Sequence, residues 1–301
     1  MRLAETCFTA ALATLLLTAP SAAQTPAPAA AFVPHARTLT RFSAASEVQI
    51  RDFVGFVRVI PENRNDVAVG FANRGVTPAP EYRVSRRRLI IDGKLRRQVR
   101  NCRVIGQDEF EVQTSRLGRL TGAQLPVMEL HVPQNAIVAV GGAVRLHVAP
   151  AQAAHIRLDG CGDAEVARVA GEAEIAIAGS QDLRLVEAGS AEVAIAGSGD
   201  VTIGVVRDGL NVSVAGSGDV VAGRVDGPTS IAVQGSGDVT IRDGRATSLS
   251  VVIAGSGDIA HGGSAQTLDA VILGGGDVRV RHVDGEISRS VLGGGEVVVG
   301  R

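Results

Sequence analysis

Gly197-Ser198-Gly199-Asp200 returns as Gly216-Ser217-Gly218-Asp219, as Gly235-Ser236-Gly237-Asp238 and as Gly255-Ser256-Gly257-Asp258. Looser copies extend the series outward: Gly160-Cys161-Gly162-Asp163, Gly179-Ser180-Gln181-Asp182, Gly274-Gly275-Gly276-Asp277 and Gly293-Gly294-Gly295-Glu296. The acidic marker falls at 163, 182, 200, 219, 238, 258, 277 and 296, in steps of 18 to 20. A fixed step of that size specifies a stacked repeat, one supersecondary unit per turn, in place of a pocketed globule.

Side chains counted from the marker give the strands. One and three residues after it stand Leu183 and Leu185, Val201 and Ile203, Val239 and Ile241, Val278 and Val280. Seven and five residues before it stand Ile175 and Ile177, Val193 and Ile195, Val212 and Val214, Ile231 and Val233. Both sets skip by two, the period of a strand with one buried face. Strands this short bury an apolar face only by coiling, each pairing in parallel with its equivalents in the rungs above and below. The expected fold is therefore all-β, a parallel β-helix (β-solenoid) of about 19 residues per rung, right-handed by the default for parallel crossovers.

Working outward, residues 38–140 alternate like strands but lack the marker, as in Phe56-Val-Arg-Val-Ile60 and Val127-Met-Glu-Leu-His-Val132. They read as an irregular β cap, and residues 141–301 as the repeat. Residues 1–23 read as a Sec-type signal peptide, with Arg2 before an apolar run from Phe8 to Ala19 and small residues ahead of Gln24. A Pro/Ala linker over 24–37 follows. The expected location is periplasmic or secreted, and no later stretch is long and apolar enough for a transmembrane helix. Outside the signal two cysteines remain, Cys102 and Cys161. In an oxidising compartment they are candidates for a disulfide, with two buried thiols as the alternative.

Strand pieces, a Leu-x-Val-Pro segment (Leu130-His-Val-Pro133) and a run of Gly-Ser-Gly-Asp-Val turns resemble the head GIN domain family of auto-transporter adhesin heads. The resemblance implies a right-handed β-helix on the bacterial envelope or outside it. It implies no catalytic residues. No run of ten-residue amphipathic strands follows the repeat, so the chain is not expected to build an outer-membrane barrel itself.

Five features bear on function. Stacked carboxylates, Asp200, Asp219, Asp238 and Asp258 among them, repel by about 1 kcal/mol per neighbouring pair in water. Either backbone hydrogen bonds at each turn or a row of structural calcium ions answers that repulsion; no other cofactor or metal is expected. An outward strip that includes Ala194, Ala196, Ala232, Val252, Val271 and Leu273 is a candidate interaction face. The final Val-rich rung is a second candidate for self-association. A basic cluster runs through Arg83, Arg86, Arg87, Arg88, Lys94, Arg96, Arg97, Arg100 and Arg103. It reads either as a solvated strand face or as a contact for anionic lipid, polysaccharide or nucleic acid. With Tyr82 alone nearby, nucleic acid is not the expected partner. His261 and His282 stand isolated and are expected at the surface.

No aromatic residue follows Phe110, and the carboxylates repeat evenly. A sugar-stacking cleft with paired acids is therefore not expected on the solenoid. The serine column Ser198, Ser217, Ser236, Ser256 has no accompanying base. The reading is an exported, non-enzymatic solenoid binding an envelope polysaccharide or protein. Two alternatives stay open: a polysaccharide-acting enzyme with its site in the N-terminal region, and a self-assembling structural envelope protein.

Overall fold

A computed structural model describes residues 39–43, 45–73, 75–105 and 109–300. The expected signal peptide and linker lie outside them. The chain is nearly all β, with a solenoid of about nine turns spaced about 19 residues apart. One rung shows the plan. A leading strand, Val201–Val206, bends into a trailing strand, Leu210–Gly216, and the corner through Asp219 starts the next turn.

Equivalent residues stack in register. Val201, Val220, Val239, Ile259, Val278 and Val297 pair in succession on the leading side. On the trailing side Val193, Val212, Ile231, Val251 and Ala270 do the same. All of these side chains are buried in one continuous core. The step varies between 18 and 20 because the bend between the two strands absorbs the difference. The register slips between Val169 and Glu172, between Gly227 and Thr229, and between Ile241 and Arg245, while the strands on either side stay matched. A slip within a strand would turn its apolar face outward, so the extra residue goes where no face is specified.

The stacking begins well before the expected boundary at 140/141, which falls inside the strand Ile137–Val148. That strand lies parallel to Glu47–Glu62, with Val48 opposite Val138 and Val59 opposite Val148. On its other side Glu47–Glu62 is parallel to Arg88–Asp92 and to Val127–Pro133. The region read as an irregular cap thus supplies solenoid turns of its own. Antiparallel strands then close that end: Glu81–Ser85 on Arg88–Asp92, and Val67–Ala72 between Val127–Pro133 and Leu39–Phe42. Reversing direction stops propagation of the parallel stack, one way natural sheets blunt an edge.

The excursion between these turns folds separately. Val99–Val104, Phe110–Thr114 and Gly118–Thr121 form a three-stranded antiparallel sheet. Its own small core of Leu95, Phe110, Val112, Leu120 and Leu125 packs on Val54 and Ala143 at the outside of the rod. Cys102 and Cys161 are joined in a disulfide with Cα atoms 6.2 Å apart, tying this sheet to a solenoid corner.

Candidate functional site

The corner glycines place the acidic markers in a line. Gly216 has a φ of 145° and stacks over Gly197, whose carbonyl accepts a 3.0 Å bond from the Ser217 N–H. With the corners superposed, each carboxylate reaches the next rung. Asp182 Oδ1 accepts the Asp200 N–H at 2.9 Å, Asp200 the Asp219 N–H at 2.9 Å, and Asp219 the Asp238 N–H at 2.8 Å. Asp238 accepts from Asp258 at 2.7 Å, Asp258 from Asp277 at 2.8 Å, and Asp277 from Glu296 at 2.9 Å.

These are charge-assisted bonds between rungs, and they offset the repulsion that stacking creates. Arg279 adds contacts to Asp277 at 2.7 Å and Asp258 at 3.4 Å. Among the described residues no group of three or more His, Cys, Asp or Glu is arranged to hold a metal. Asp163 pairs with Asp182 in the strand register but is half-buried. Burial pushes its carboxyl above the usual range, Asp182 adds to this, and Arg145 opposes it.

A hydrogen-bonding role for the column predicts a specific pair of results. Asp219→Asn keeps an acceptor oxygen and should cost well under 1 kcal/mol, whereas Asp219→Ala should cost about 1–2 kcal/mol. Excess chelator should leave the melting temperature of the unsubstituted protein where it was. A melting temperature that falls with chelator would make the column a cation row.

The strip read as a candidate interaction face is mostly exposed, with Ala232 and Val271 half-buried. Ala194, Ser213, Ala232, Val252 and Val271 align in one column, and Ala196, Ala215, Gln234, Ala254 and Leu273 in the next. Their side chains grow toward the C-terminal rungs, where Val252 is 42% and Leu273 47% exposed. The last trailing strand, Ile287–Gly293, is exposed along its whole length.

Part of the basic cluster lies at the opposite end, on the outermost hairpin Glu81–Asp92, and the rest on the segment after it and on the satellite strand Val99–Val104. Arg88 pairs with Glu47 at 2.9 Å and Lys94 with Glu81 at 2.6 Å. Arg83, Arg86, Arg87, Arg96, Arg97, Arg100 and Arg103 are exposed, and no ion pair or side-chain hydrogen bond joins them to another described residue. Arg86 and Arg87 form the two-residue tip of the hairpin between Glu81–Ser85 and Arg88–Asp92, with φ of 49° and 65°. Two positive φ angles define a tip that normally takes Asn-Gly, and L-residues with a longer side chain are held there at a cost of about 1–2 kcal/mol each. Lys94 and Arg97 also have positive φ.

Several other charged side chains are engaged with each other. His131 lies between Glu62 at 2.8 Å and Glu129 at 2.9 Å, so both ring nitrogens are occupied. That His131 bond, with help from Arg64, holds the Glu62 carboxyl below its usual range. His155 and Arg157 do the same to Glu174. A shallow trough of about 540 Å³ crosses the first turns, where Gly141 leaves a gap flanked by Gln49, Arg51, Arg157 and Asp159. It brings together guanidiniums and carboxylates with no hydroxyl or thiol nucleophile.

His282 is exposed, 3.1 Å from Asp284. His261 departs from expectation. It is 1% exposed and points into the core between Ile241 and Val280. It sits three residues after Asp258, an inward position in every rung, and the strand alternation overrides the preference of histidine for the surface. Neither ring nitrogen has a hydrogen-bond partner of good geometry. Burial lowers its pKa, with backbone groups of Gly263 and His261 itself and the charge of Asp243 acting weakly the other way.

Residues 224–300, which include these rungs of the ladder and the apolar part of the face, match the family described as putative auto-transporter adhesin, head GIN domain. They carry the head GIN pattern. A crystal structure of a putative adhesin from Parabacteroides distasonis is 17% identical and superposes over 87% of this chain and 96% of its own, with a TM-score of 0.54. Putative adhesins from Parabacteroides merdae and Bacteroides fragilis, each 15% identical, cover 87% of this chain and 95% and 96% of theirs, with TM-scores of 0.43 and 0.41. No curated protein matches the sequence. At 17% identity the first structure establishes a shared fold over 87% of this chain. No helix among the described residues is long and apolar enough to cross a membrane.

Proposed function

We propose that this chain is an exported, non-enzymatic rod whose flat trailing face is an adhesion-type contact surface for an envelope polysaccharide or protein. The observation that carries it is the face itself. Two columns of mostly small and aliphatic side chains run in register through successive rungs, largely exposed and increasingly apolar toward Val252 and Leu273. A planar, rigid, weakly apolar surface suits contact with an extended partner. The engagement of the carboxylates in the ladder supports the non-enzymatic reading, because paired acids for hydrolysis need to converge on one bond. The adhesin description of the matched family agrees with it.

The test is saturable binding to isolated bacterial envelope polysaccharides and surface proteins, with product release followed in the same samples. Combining Val252→Glu with Leu273→Glu should weaken binding about tenfold or more while leaving the melting temperature unchanged. Release of shortened polysaccharide would make the protein an enzyme. If the double variant instead abolishes concentration-dependent light scattering and leaves ligand binding intact, the face joins copies of this chain.

A further inference from the structure

We propose that the basic end of the rod docks on an anionic lipid bilayer, its arginines on phosphate headgroups, so that the acidic rungs project away from the surface. The inference is independent of what the flat face binds. It starts from a separation of charge along the molecule. Residues 81–103 hold nine basic and two acidic side chains, whereas residues 141–301 hold twelve basic and twenty acidic ones. The near-zero net charge of the whole chain conceals two opposite ends.

The seven unpaired arginines described above carry the argument further. Arg88 and Lys94 are held by Glu47 and Glu81, and exposed arginines without an ion pair also stand singly along the solenoid, as at Arg184, Arg242, Arg281 and Arg289, but here seven fall within one short stretch of chain. The hairpin tip adds a second, independent observation. Arg86 and Arg87 occupy a turn where Asn-Gly would be unstrained, so the charge is kept at a site that disfavours the residue. The planar guanidinium matches phosphate oxygens two at a time.

Geometry selects a surface over a polymer. The outermost strands at this end are Glu81–Ser85 and Leu39–Phe42, and both are mostly exposed. Leu39, Tyr82 and Val84 stand out on them at 41%, 36% and 41% exposure. Apolar bodies and one aromatic ring among cations suit the headgroup level of a bilayer. A polyanion lying lengthwise would run into the carboxylate ladder, but a planar anionic surface meets the end alone. Base or sugar stacking would need several rings, and Tyr82 already packs against Phe42 with centroids 5.5 Å apart.

The experiment uses the full chain with unilamellar vesicles of phosphatidylglycerol mixed with phosphatidylcholine, beside vesicles of phosphatidylcholine alone. Co-sedimentation is expected with the first and not the second, and it should fade as sodium chloride rises. Arg86→Asn with Arg87→Gly relieves the strained tip, so its melting temperature should rise while vesicle affinity drops about fivefold per arginine, about 25-fold in all. A second variant, Arg83→Gln on the outermost strand Glu81–Ser85, should weaken binding about fivefold. Absence of binding to anionic vesicles at low salt overturns the proposal, as does equal binding by wild type and both variants or equal binding to neutral vesicles. Binding of soluble polygalacturonate without vesicle binding would give this end to an acidic polysaccharide and equally overturn the lipid assignment.

Discussion

Gly216→Ala is expected to cost about 2–6 kcal/mol and to break the cooperativity of the rod. Two effects add. The backbone at Gly216 has a φ of 145°, a region essentially closed to residues with a Cβ, which accounts for about 1–3 kcal/mol. A Cβ built there also overlaps the carbonyl oxygen of Gly197 in the rung below. That oxygen accepts the Ser217 N–H, so relief of the overlap breaks a bond between rungs, and overpacking of this kind costs about 1–3 kcal/mol more. The damage does not stay local. The Gly216 carbonyl accepts the Ser236 N–H above it, and the adjoining markers Asp200, Asp219 and Asp238 are bonded in series. Stability in a stacked array is the sum of rung and neighbour terms, so one bad interface separates two blocks. Urea unfolding followed by circular dichroism should change from one transition to two, the first well below the wild-type midpoint. Ser217→Ala, at an exposed corner position, is the control and should shift the midpoint by less than about 0.5 kcal/mol. A single transition with a loss below 1 kcal/mol in Gly216→Ala would mean that the corner does not need glycine.

The repeat was legible from residue 163 onward because three independent signals agree there. The glycine corner, the alternation on each side of it and the acidic marker all carry the same period, and the structure stacks them in register. The earlier turns were not legible as solenoid. Val57 and Met128 are direct neighbours on adjacent strands, yet the closing strands and the satellite sheet intervene in sequence. Without a Gly-x-Gly-Asp corner, nothing in the alternation of Phe56-Val-Arg-Val-Ile60 says whether its neighbour is parallel or antiparallel.

The surface divides the same way. The position of each marker could be counted, and the in-line arrangement of Asp200, Asp219 and Asp238 follows from the period. What their carboxylates do could not, because an oxygen bonded to the amide one rung later is a contact between residues some nineteen apart. The strained tip at Arg86 and Arg87 was invisible for the opposite reason. Sequence preference for positive φ points to Asn and Gly, so an Arg-Arg tip carries no local signal of a tight turn.

The inward position of His261 follows from its place three residues after Asp258, and it supports the second large effect. Replacement by valine should stabilise the protein by about 1–3 kcal/mol at pH 7.5, because the substitution removes buried nitrogens that lack partners. Valine is the smaller side chain, but it continues a column that holds Ile241 on one side and Val280 on the other. The pH dependence tests the cause. Burial depresses the folded-state pKa of His261 below its ordinary value of 6.5. Well above pH 6.5 the ring is neutral in both states and titration contributes nothing. Below that value the unfolded chain takes up a proton that the folded chain refuses, so wild-type stability declines as pH falls, by up to about 1.4 kcal/mol per pH unit. The paired carboxylates, Glu62 and Glu174, have folded-state pKa values lowered from 4.5 and yield their stabilisation only at greater acidity. Between pH 7.5 and 5.5 the difference between wild type and His261→Val therefore isolates the buried ring, and the variant's advantage should widen toward the acid side. An advantage that stays constant across that interval would show that the ring is solvated in the folded state, and a variant less stable than wild type at pH 7.5 would show that its nitrogens are hydrogen-bonded after all.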